Sequence, residues 1–111
     1  MEGDLSSPPP VVISIAADDD LFDIGLYLRA VNRTAAEDFL QRVSKTLDLI
    51  SRFPEMGRLR DELAIGLRSF VVDRYVLFYT IGPGGRPTLV RVIHGMRDLP
   101  SIFSPDRPSK N

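Results

Sequence analysis

The chain has 111 residues, a length that suits one domain with one modest core. Hydrophobic residues make up 43% and charged residues 26%, with a formal net charge of −1 and a pI near 5.7; this is no whole-molecule polycation, which weakens a nucleic-acid reading. There is no cysteine, hence no disulfide framework and no thiolate metal site, and no apolar run of membrane-spanning length or signal peptide, so the expected location is cytoplasmic.

Along the chain, residues 1–10 (MEGDLSSPPP) are acidic, Ser-rich and end in three prolines, and are expected to form a flexible arm. Residues 11–15 (VVISI) are β-branched and predict a first strand. A helix follows, with Asp18 as its expected cap and Asp19, Asp20 and Asp23 near the positive end of its dipole. Leu21, Ile24, Leu28 and Val31 keep helical spacing on one face. Gly25 inside this helix costs roughly 1 kcal/mol relative to alanine; either it permits close packing or it is tolerated.

Thr34 to Glu37 read TAAE, a capping box that predicts the start of a second helix. Its apolar stripe runs through Ala36, Phe39, Leu40, Val43, Leu47 and Ile50, and Pro54 ends it. Two helices with a short polar link predict an antiparallel hairpin. Expected core residues are Leu21, Ile24, Leu28, Phe39, Leu40, Val43, Leu47 and Ile50. A charged, turn-rich stretch leads to three strands: LRSFVV, YVLFYTI after a tight Asp73-Arg74 turn, and TLVRVIH after the GPGGRP loop. The expected fold is α+β: an N-terminal strand, a helix hairpin and a three-stranded antiparallel meander, with both helices on one face of an antiparallel sheet. One domain is expected over residues 11–103, with a flexible tail over 104–111.

Most catalytic constellations are missing from the sequence. A single histidine, His94, excludes a histidine metal cluster and a His-His acid/base pair. GPGG joins two strands, the wrong context for a phosphate cradle. Ser69, His94 and Asp98 make a set that most chains contain by chance. The early aspartates read as a solvated helix start rather than a metal site, and no cofactor motif is present. Acidic residues cluster early, whereas arginines dominate from Arg52 onward. Arg58, Arg60, Arg68 and Arg74 are either solubilising or, converging on one sheet face, a surface for an anionic partner. Tyr75, Leu77, Tyr79 and Ile81 alternate with Val76, Phe78 and Thr80. The first set is expected to carry its two phenols opposite the helices, although core packing explains both tyrosines equally well. His94 shares the parity of Val90 and Val92 and reads as a structural histidine at the end of a strand.

The segments ADDDLFDIGLYL, AAEDFL, FPEMGRLRDEL, GLRSFVVDRYVLFY and RVIHGMRD, in this order, resemble the ParE branch of the RelE/ParE toxin superfamily, the toxin halves of bacterial type II toxin–antitoxin pairs. The resemblance spans residues 15–103. It rests on Pro-x-x-Gly after the second helix, Leu-Arg, Tyr-x-x-x-Tyr and His-Gly-x-Arg-Asp. Gly25 departs from it, since the family usually has tryptophan or another large residue there; the Pro-rich arm departs too.

RelE-like members of the superfamily cut messenger RNA on the ribosome with basic and acid/base residues on the sheet face. ParE-like members lack that set and poison DNA gyrase through contacts. The lysines here are Lys45, on the second helix, and Lys110, in the tail; the sheet half has none, and the near-neutral charge points the same way. The resemblance therefore implies a non-enzymatic inhibitor of DNA gyrase. It also implies neutralisation by a cognate ParD-like antitoxin in a heterotetramer or larger assembly, with no membrane and no sequence-specific nucleic-acid contact. The expected binding residues are Arg58, Arg60, Arg68, Tyr75, Tyr79, His94 and Arg97. The alternatives are a ribosome-dependent endoribonuclease, whose site would be Arg58, Arg60, Arg68, Tyr79 and His94, and a non-toxic relic that only binds an antitoxin. Arg97 and Asp98 match the family's Arg-Asp and are expected to lock the C-terminal segment to the domain.

Overall fold

The fold begins with a strand too short to stand alone. In the computed structural model, which describes residues 11–95 and 99–103, β1 is only Val12–Ile13. The expected arm, the tail, Arg97 and Asp98 lie outside the described residues. The chain continues as α1 (Ile15–Val31), α2 (Arg33–Arg52), β2 (Arg58–Leu59), β3 (Arg68–Val72), β4 (Tyr75–Ile81), β5 (Pro87–His94) and α3 (Leu99–Phe103). The strands form one sheet in the order β1-β5-β4-β3-β2. The expected α+β architecture and the β3-β4-β5 meander are present, but the sheet is not wholly antiparallel: β1 runs parallel to β5. The Ser14 amide extends that edge by donating to the Leu89 carbonyl at 3.0 Å.

Both helix starts differ from expectation. Ser14, not Asp18, caps α1, its hydroxyl accepting from the Ala17 amide at 3.0 Å and donating to the Val90 carbonyl at 2.9 Å. The helix starts as soon as β1 leaves the sheet, which places Asp18 inside it. Likewise Asn32, not Thr34, caps α2. Its Oδ1 accepts from the amides of Thr34 and Ala35, while its own amide donates to the Leu28 carbonyl. One asparagine thus closes α1 and opens α2, and the hairpin needs no longer link.

The helices cover one sheet face, where Ala17, Phe39 and Val43 pack on Val72, Tyr75, Leu77, Leu89 and Val92. Leu21, Ile24, Leu28 and Leu47 reach this core only partly buried. Leu40 was expected inside but is 42% exposed. The buried line of α2 is Ala36, Phe39, Val43, Thr46 and Ile50, and Leu40, one residue past Phe39, is turned about 100° out of it. The opposite sheet face carries a second cluster, Leu63, Leu67, Phe78 and Ile93, against which α3 packs. Phe103 meets Phe78 with ring centroids 4.6 Å apart.

This two-sided burial corrects the expected orientation of β4. Tyr75 and Leu77 face the helices, and Phe78 faces away. Both faces of β4 are apolar, so alternation alone could not distinguish them. In β5, Phe78 opposes Arg91 whereas Tyr79 opposes Leu89. Val90 is the extra residue of a bulge, and it does not keep the parity shared by Val92 and His94.

Candidate functional site

The sequence-selected residues fall into two regions of the sheet rather than one. The first lies where α2 ends. Pro54 opens a single 3₁₀ turn, Pro54–Met56, and Gly57 follows. The fully buried Tyr79 hydroxyl donates to the Pro54 carbonyl at 2.7 Å and accepts from the Gly57 amide at 2.8 Å. A side chain at Gly57 would have its Cβ 2.5 Å from that hydroxyl and 2.7 Å from the ring, so the glycine of Pro-x-x-Gly is required by close approach rather than by backbone angle. Arg68 stands opposite Tyr79 in the sheet and donates to the carbonyls of Glu55 at 3.1 Å and Gly57 at 2.8 Å. Burial is the main cause of the raised Tyr79 pKa.

Arg60 lies on the other side of β3. It donates to Glu62 at 2.6 Å and to the Ser69 hydroxyl at 3.3 Å, with its guanidinium 6.0 Å from the centre of the Phe78 ring. The hydrogen bond from Arg60 holds the Glu62 carboxyl below its usual range. Arg58 is exposed on β2, the outer strand of the sheet. The four arginines expected to group therefore do not converge on one face: Arg68 is drawn to the helix side, Arg60 to the side of the second cluster, and Arg74 sits in the turn between β3 and β4.

The second region lies at the far end of β4 and β5. His94 opposes Tyr75, their rings edge-to-face at 5.3 Å. Both line an open groove of about 600 Å³ between the hairpin end and the sheet. Tyr27, Leu28 and Val31 of α1 and Ala35 and Phe39 of α2 form its apolar wall. Its rim holds Arg42, Asp73 and Arg74. Arg42 grips the Asp73 carboxylate with bonds of 2.8–3.1 Å, which ties α2 to the β3–β4 turn. Asp73 takes a positive φ of 57° there, a conformation aspartate tolerates.

Sequence reasoning missed this rim. Arg42 and Asp73 are 31 residues apart, and no local spacing signals their pairing. It also missed Asp20, read only as part of a solvated acidic run. Its carboxylate accepts from Arg91 at 2.8 and 3.1 Å and from the Val92 amide at 2.9 Å, pinning α1 to β5 just beyond the bulge. Among the described residues no cluster of His, Cys, Asp and Glu is arranged to hold a metal ion, and no helix is long and apolar enough to cross a membrane.

The profile of a family described as the ParE toxin of the type II toxin–antitoxin system parDE matches residues 11–99. Toxin ParE1 of Caulobacter vibrioides is 30% identical over 86 residues, covering 77% of this chain and 88% of that protein. A solved structure of the chromosomal ParDE system from P. aeruginosa superposes with a TM-score of 0.64 at 15% identity, covering 78% of this chain and 95% of the matched one. That second likeness is one of fold.

Proposed function

The chain belongs to the ParE toxin family of type II toxin–antitoxin systems, and from that premise we propose that it arrests growth in the cytoplasm by binding DNA gyrase and is silenced by a cognate antitoxin. The observation that carries the binding reading is the commitment of Tyr79 and Arg68. The tyrosine hydroxyl both donates and accepts within the protein, and the arginine serves two backbone carbonyls. Groups that a ribosome-dependent nuclease would present to its substrate are here engaged in holding a turn. Lysine is absent from the sheet half, and an mRNA cleaver needs strong phosphate attraction.

The proposed antitoxin is ParD-like and assembles with the toxin as a heterotetramer or larger complex. Its tail folds on the toxin, setting apolar anchors in the groove beside Tyr75 and His94 and carboxylates at the Arg58–Arg60 edge. The apolar wall and charged rim of the groove support this. Purified chain is expected to inhibit gyrase supercoiling and to leave messenger RNA intact in a translating extract. Ribosome-dependent cleavage with normal supercoiling would sink the proposal in favour of the nuclease.

A further inference from the structure

Helix α1 is apolar on two opposite sides. One side, through Ala17, Leu21, Ile24 and Leu28, meets the core. The other holds Ile15, Phe22 and Leu26, which are 84%, 66% and 52% exposed. Along the flank of the helix between these two sides four residues recur at steps of four, three and four: Asp18, Phe22, Gly25 and Arg29, of which all but the half-buried Gly25 are exposed. Those steps keep them in one line on a helix, over about 16 Å of its axis. A Cβ placed on Gly25 would meet nothing within 4 Å, so the line carries a notch beside its largest projection. Its order is acid, knob, notch, base.

That order is complementary to itself when reversed. We propose that a second copy of this chain docks on this flank of α1, the two helices running antiparallel about a twofold axis. Phe22 of each copy then lies over Gly25 of the other, and Asp18 of each faces Arg29 of the other. The spacing reads the same from both ends, so one register satisfies both contacts twice, as a twofold interface requires. Charge fixes the register, because a parallel arrangement would set acid against acid and base against base. Ile15 and Leu26 flank the line and lose exposure in the same contact. One helix face per copy is small beside the roughly 1,600 Å² of a standard interface, so the dimer is weak and exchanging, with a dissociation constant on the order of micromolar or above. The inference does not depend on the gyrase reading.

Sedimentation velocity of the full chain, from low micromolar to several hundred micromolar, tests it. A monomer–dimer equilibrium is expected. Asp18→Arg and Arg29→Asp, each alone, should raise the dissociation constant by about tenfold or more through like-charge contacts. Mixing the two variants should restore dimers, since each then offers the charge the other lacks. Gly25→Trp fills the notch and should also weaken the dimer. Circular dichroism should show an unchanged fold for all three, because the altered positions are exposed or open. A chain that stays monomeric throughout, or dimers indifferent to these changes, would overturn the proposal. So would single-charge variants that fail to associate when mixed. A monomeric chain whose antitoxin binding is lost with Phe22→Asp would assign this face to the antitoxin instead.

Discussion

Tyr79 and Gly57 show how two residues 22 apart in sequence can be one structural unit. The tyrosine ring fills the space that a side chain at 57 would need, and its hydroxyl satisfies the backbone on both sides of the turn. Gly57→Ala should destabilise the fold by about 1–3 kcal/mol through overpacking, read as a lower denaturant midpoint. Tyr79→Phe should cost about 1–3 kcal/mol, because the Gly57 amide and the Pro54 carbonyl are left unsatisfied in a buried site. The pH dependence follows from the same burial. Tyr79 and Tyr75 are both raised above the ordinary 10.0, chiefly by desolvation of the phenolate. A phenol whose folded pKa lies above its unfolded one holds its proton more tightly in the native state. Its contribution is therefore complete below about pH 10 and lost as pH rises through the folded value. Melting temperature should fall on the alkaline side of pH 10, and less steeply in Tyr79→Phe. An identical alkaline slope in the variant would refute the assignment to Tyr79.

At the scale of elements, α2 separates packing from apparent amphipathicity. Phe39 is buried against Tyr75, with centroids 5.0 Å apart, whereas its neighbour Leu40 is turned outward. Phe39→Ala should cost about 3–5 kcal/mol and Leu40→Ala roughly 1 kcal/mol or less. Equal losses on chemical denaturation would mean that Leu40 belongs to the core after all. Helix α1 depends on a polar latch as well as on packing. Asp20 is 16% exposed and Arg91 30%, and the carboxylate also serves the Val92 amide. Asp20→Ala leaves a half-buried guanidinium and an amide without their acceptor, a loss of about 1–3 kcal/mol. Amide hydrogen exchange should speed up at Val92 before it does in β4.

Across the described residues, apolar side chains form a core under the hairpin and a second cluster under α3, while Ile15, Phe22 and Leu26 on α1 stay exposed with no described element over them. Charge is distributed as unevenly. Arg58 lies on the outer strand β2, with Arg60 just beyond it, while Arg68 is engaged with the α2–β2 turn. Reversing Arg58 and Arg60 together, to glutamate, should raise the antitoxin off-rate and weaken the complex, because charged pairs desolvated in an interface act mainly on dissociation. Reversing Arg68 should instead lower the melting temperature of the isolated toxin. Calorimetry showing wild-type affinity in the double variant would remove Arg58 and Arg60 from the antitoxin surface.

Local physics made much of this legible in advance. The β-branched and aromatic runs marked β3, β4 and β5, the loop residues marked their turns, and the break at Pro54 marked the end of α2. The order of short motifs indicated the family. What the chain alone could not convey was every decision made between distant residues. Ser14 and Asn32 cap the helices because of where the strand and hairpin place them, and equally plausible caps at Asp18 and Thr34 were nearer the periodic pattern. The face taken by Tyr75 was undecidable while β4 was apolar on both sides, and only packing against both α1–α2 and α3 resolved it. The pairs Asp20–Arg91 and Arg42–Asp73 span 71 and 31 residues, so no spacing rule anticipates them. Periodicity reports how a segment repeats, but burial depends on which element arrives from elsewhere in the chain to cover it.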